Sequence, residues 1–61
     1  MNEPKRFTFT DGPQAGRVVE NDHPHMVLHA NEDVRFPDPD KPGIYNVYRL
    51  HADGTATWVS R

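Results

Sequence analysis

The chain has 61 residues, no cysteine, 34% hydrophobic residues and a formal net charge of −2 from nine acids against seven bases. That length allows one domain and excludes disulfides and thiolate chemistry. A chain so short buries only about 60% of its unfolded surface, so a metal, a partner or a bare but compact core must supply stability.

The first pattern is period two. Residues 5–10 place Phe7 and Phe9 on one face and Arg6, Thr8 and Thr10 on the other, which predicts a strand with one buried side. Asp11-Gly12-Pro13 stops it, Gly16 closes a short loop, and Arg17-Val18-Val19-Glu20 resumes in β-type residues. Two short strands around a Gly/Pro loop predict a hairpin. A second turn follows at Asn21-Asp22-His23-Pro24, and residues 26–30 read as a third strand with Met26, Leu28 and Ala30 on one face. Residues 31–43 hold four acids and Pro37, Pro39 and Pro42; alternating prolines disfavour a central strand, so this stretch is expected to be an irregular acidic surface loop pinned by Phe36.

Residues 44–61 carry the strongest local signal, two β-rich runs around Ala52-Asp53-Gly54. A three-residue loop with Gly54 left-handed sets Leu50 across from Ala56 and Tyr48 across from Trp58. That register gathers the large apolar groups on one face and is preferred over a two-residue turn. If the 44–50 strand lies at a sheet edge it is poorly guarded, with Arg49 as its one charge, and would pair with another chain. The whole chain, 1–61, is therefore expected to be a single all-β domain. It would be a small antiparallel sheet or a partly open barrel of SH3-like size, with four to five short strands. Phe7, Phe9, Trp58 and one tyrosine are its expected core.

The N-terminal segment Phe7-Thr8-Phe9-Thr10-Asp11-Gly12-Pro13, followed by Gly16-Arg17-Val18-Val19, resembles short β-proteins of actinobacteria and their phages. These carry an aromatic-Thr-Gly-Gly-Pro-x-x-Gly-x-x-Val hairpin. Asp11 stands here where the first glycine is usual, and Ala15 where an aspartate is common. The likeness covers the first third of the chain. It implies a β-hairpin and a phage-type or accessory origin, and it carries no activity with it.

Candidate chemistry is sparse. His23, His25 and His29 fall on one side of an extended segment and form an alternative candidate metal site, but Pro24 breaks the segment and no zinc spacing is met. Glu32, Asp33, Asp38 and Asp40 crowd one stretch without an EF-hand spacing. Ser60 is the single serine, and Gly12-Pro13-Gln14-Ala15-Gly16 lacks the Lys-Ser/Thr of a phosphate loop. The expectation is a non-enzymatic protein-binding or assembly module with no cofactor, meeting a protein partner or a second copy through Tyr45, Arg49 and Phe36. The alternative is a nucleic-acid-binding small β-barrel using Arg6, Arg17, Arg35 and Arg49. A net negative charge argues against it, because such proteins normally carry a basic excess. No apolar run approaches the roughly 18 residues of a membrane span, and the N-terminus has no signal-like stretch, so a cytoplasmic location is expected.

Overall fold

The computed structural model describes residues 4–21 and 27–59. These form five strands: β1 (Arg6–Phe9), β2 (Val18–Glu20), β3 (Asp33–Pro37), β4 (Tyr45–Leu50) and β5 (Thr55–Trp58). A 3₁₀ turn, Gly12–Gln14, lies between β1 and β2. They make one sheet in the order β2-β1-β5-β4-β3, curled into a half-barrel. The expected all-β class holds, with one difference. The β1–β2, β3–β4 and β4–β5 pairs are antiparallel, but β5 runs parallel to β1, Thr8 facing Thr55. Hairpin signals reveal antiparallel neighbours; a pairing between strands so far apart in sequence leaves no local mark.

Alternation decides which side chains enter the core. Phe7, Phe9, Phe36, Tyr48, Leu50 and Ala56 point to the concave face and are buried, with Leu28 among them. Phe9 stacks on Tyr48 with ring centroids 4.3 Å apart, and Phe36 tilts onto Phe9 at 5.0 Å. Such pairs contribute about 0.5–1.5 kcal/mol each beyond their buried area. The convex face carries Arg6, Thr8, Asp33, Arg35, Tyr45, Arg49, Thr55 and Thr57.

The β4–β5 hairpin takes the preferred register, Leu50 opposite Ala56 and Tyr48 opposite Trp58, and Gly54 has φ +90°. The Asp53 carboxylate accepts from the N–H and hydroxyl of Thr55 (3.0 and 2.7 Å) and tightens the turn.

Four expectations are corrected. Residues 31–43 are not one irregular loop, because Asp33–Pro37 is strand β3. Pro37 is tolerated because it closes the strand at a position whose N–H would point away from β4. The predicted third strand is not formed over residues 27–30. There the Asn21 side chain takes the place of a ladder, accepting the Leu28 N–H (2.6 Å) and donating to its carbonyl (2.9 Å). Trp58 is not core; it is 42% exposed at the end of β5, against Gly12. Finally, β4 is not an edge strand, since β3 and β5 flank it.

Candidate functional site: the open seam between β2 and β3

One end of the half-barrel is sealed by polar contacts. The Tyr48 hydroxyl donates to the Asp11 carbonyl (2.7 Å) and accepts the Gln14 N–H (2.9 Å). Gln14 is buried, and its amide nitrogen reaches Asn46 Oδ1 (2.9 Å) and the carbonyls of Pro37 (3.2 Å) and Phe36 (3.4 Å). Its Oε1 accepts from Arg17 (2.8 Å). The 3₁₀ turn is thus tied to β3 and β4 at once. No buried side-chain polar atom lacks a partner among the described residues.

The side of the half-barrel is not closed in this way. β2 and β3 are the two outer strands of the sheet, and a cavity of about 200 Å³ lies between them. Val19, Leu28, Val34, Phe36 and Pro37 give it apolar walls, and Glu20 and Arg35 flank it with opposite charges.

Hydrogen-bond parity identifies the backbone groups left over. Leu50 N–H donates to the Glu32 carbonyl and Asp38 N–H to that of Ile44, so even-numbered residues of β3 bond to β4. The N–H and C=O groups of Asp33 and Arg35 therefore point outward. On β2, Phe9 bonds to Arg17 and Asn21 to Lys5, which turns Val18 and Glu20 outward. These are unpaired sheet edges of the kind that another strand can join.

The sequence-predicted residues fall in two places. Tyr45 and Arg49 share the convex face of β4, and both are exposed. Arg49 makes a bidentate contact with Asp33 of β3, Nε to Oδ1 at 2.7 Å and Nη2 to Oδ2 at 3.2 Å. That guanidinium holds the Asp33 carboxyl below its ordinary value of 3.8, and the carboxylate raises the pKa of Arg49 in turn. Phe36 lies on the opposite, concave face, buried under the sheet and lining the cavity. The structure does not bring it to Tyr45 and Arg49. Gln14 and Asn21, which organise the two ends of the seam, have no sequence signal beyond their place in turns. β3 did have one: Val34 and Phe36 alternate with Asp33, Arg35 and Pro37.

His23 and His25 lie outside the described residues, and His29 is exposed. No three metal-binding side chains gather among the described residues. His51 Nε2 and Thr57 Oγ1 are hydrogen-bonded at 2.8 Å on the convex face, away from the cavity. The Asp53 carboxylate, close in sequence, is engaged with Thr55, so it does not serve as the orienting third group a catalytic triad needs. Three of the four arginines, Arg6, Arg35 and Arg49, share the convex face, with Asp33 and Glu20 set among them. Arg6 stands on β1 opposite Glu20, Arg35 and Arg49 are diagonal neighbours on the adjacent strands β3 and β4, and Arg17 is at the sealed end. No described helix is long and apolar enough to cross a membrane. Comparison with protein-family models, curated proteins and solved structures finds no match to this chain.

Proposed function

We propose that this protein is a non-enzymatic binding module that takes an extended strand of a partner polypeptide along the outer edge of β3. One observation carries the reading: β3 has outward backbone donors and acceptors at Asp33 and Arg35, directly beside an apolar cavity. Backbone pairing would supply affinity and the cavity a side-chain anchor, the usual division of labour in strand addition. At about 200 Å³ the cavity is below the roughly 300–1,000 Å³ of small-molecule pockets and suits one or two side chains. Arg49 contributes by orienting Asp33, and Tyr45 stands opposite Pro37 on the convex face. The net charge of −2, with Asp33 held on Arg49 and Glu20 opposite Arg6, favours a protein partner over nucleic acid. The hairpin resemblance fits an accessory or phage-type role for such a module.

The test uses Arg35→Pro, which deletes an outward N–H and no bond to β4. Parent and variant serve as baits in affinity capture from host lysate, with circular dichroism to verify the fold. Proteins held by the parent and lost by the variant are expected. An identical set on both baits removes β3 from the reading.

A further inference from the structure

We infer that the β3 edge is self-complementary and pairs with the β3 of a second copy in an antiparallel, two-fold arrangement centred on Val34. This rests on the reading of β3 as the binding edge and names its partner.

The register follows from which groups are unpaired. Rotation about Val34 sets Asp33 opposite the partner subunit's Arg35, and Arg35 opposite the partner subunit's Asp33. Both are positions whose N–H and C=O point outward, so four backbone hydrogen bonds form and every outward donor of β3 is used. Pro37, which has no N–H, is not called upon, and its carbonyl already accepts from Gln14. At the other end Asn31 leaves the strand with φ +69°. The alternative centre, Arg35, would oppose two arginines and require the missing N–H of Pro37.

Charge selects the same register. Asp33 and Arg35 have opposite signs and share the convex face, so the two-fold creates two cross-strand ion pairs; opposite charges directly across a ladder are favourable and like charges are not. A charged edge ordinarily repels strand addition. Here the signs alternate about Val34, so the edge repels shifted registers and accepts its own copy. Arg49 already orients Asp33, and a carboxylate has about four lone-pair sites, which leaves room for the partner's Arg35. Arg35 is exposed and makes no ion pair among the described residues. On the concave side, Val34 of each copy would face the other at the rim of the cavity. A 61-residue chain without disulfides is the kind of domain that gains stability by pairing.

Sedimentation equilibrium over a range of concentrations tests the inference on three chains: parent, Arg35→Glu and Asp33→Arg. The parent is expected to shift from monomer to dimer mass, with weaker association at high salt. Each variant alone places two like-charged pairs across the ladder and should raise the dimer Kd by about tenfold or more. An equimolar mixture of the two variants restores both pairs of opposite charge and should dimerise again, a rescue that a folding defect could not give. Arg35→Pro should be folded and monomeric. A parent that stays monomeric to its solubility limit, a dimer that survives Arg35→Pro, or variants that fail to pair when mixed would each overturn the inference. Loss of lysate proteins on the Arg35→Pro bait, with a monomeric parent, would overturn only the second copy and leave β3 as the binding edge.

Discussion

The sealed end and the open seam of this half-barrel are built from the same strands and solve opposite problems. At the sealed end, Tyr48, Gln14, Asn46 and Arg17 satisfy one another and three backbone carbonyls. Such a network fixes one geometry, because each unmet group in it would be costly. At the seam the chain leaves backbone groups of β2 and β3 turned outward beside an apolar cavity. Substitutions at the sealed end should therefore appear in stability, and those at the seam in association.

The largest expected effect is at Gly12, where the turn passes under Trp58. Its φ is +76°, and a Cβ there would stand 2.5 Å from Trp58 Cβ and 2.6 Å from Cγ. Gly12→Ala combines backbone strain of about 1–3 kcal/mol with overpacking of a similar size, about 1–3 kcal/mol. The sum approaches the roughly 3–5 kcal/mol that a domain this small can hold, so urea titration should show it largely unfolded. Tyr48→Phe comes next. It leaves the ring stack intact but strands the Gln14 N–H and the Asp11 carbonyl, and should cost about 1–3 kcal/mol in the same titration. An unchanged midpoint would mean that water replaces the hydroxyl and that this end is less tightly sealed than its geometry implies.

Acid gives a smaller effect, through Asp33 of β3 and Asp53 of the β4–β5 turn. The Arg49 guanidinium holds the Asp33 carboxyl below 3.8, and hydrogen bonds from the Thr55 hydroxyl and N–H do the same for Asp53. The folded protein then binds fewer protons than the unfolded chain. The stabilisation is fully present above the ordinary value and is lost as pH falls through the depressed native values. Tm should decline below pH 3.8, with a shallower decline in Asp33→Asn and Asp53→Asn. Parallel curves for all three chains would separate these contacts from acid sensitivity. A small stability effect, about 1 kcal/mol or less, is expected for Arg35→Pro, because the lost N–H makes no bond to β4 and proline is tolerated on an edge strand.

Much of the architecture was legible residue by residue. Phe7 and Phe9 alternate with polar neighbours, and Ala52-Asp53-Gly54 dictates the register that joins Tyr48 to Trp58. What escaped was set by position in three dimensions. Prolines near residue 37 argued for a loop, yet a proline at a position facing away from β4 costs no ladder bond. Trp58 has the composition of a core residue, but β5 ends where the half-barrel ends, and its ring meets Gly12 with much of its surface in solvent. The condition set for pairing through residues 44–50, an edge position, is not met for the same reason. β4 has one charge and no proline, and it is flanked on both sides because Asp33–Pro37, expected as a loop, pairs with it as β3. Tyr45 and Arg49, expected at a contact, are exposed, whereas the seam itself depends on sheet order and could not be seen in any single segment.

That β1–β5 joint also bears on how the chain acquires its structure. Thr8 pairs with Thr55, a sequence separation of 55 − 8 = 47 residues, and the two strands are parallel. Closing so long a loop costs entropy before any long-range contact repays it, and non-local parallel pairing is intrinsically slow. During synthesis β1 and β2 emerge early, with Phe7 and Phe9 uncovered, while Tyr48, Leu50 and Ala56 arrive only with the last third of the chain. By this sheet order β1 keeps an open edge, with its aromatic side chains uncovered, until β5 has been made and reaches it.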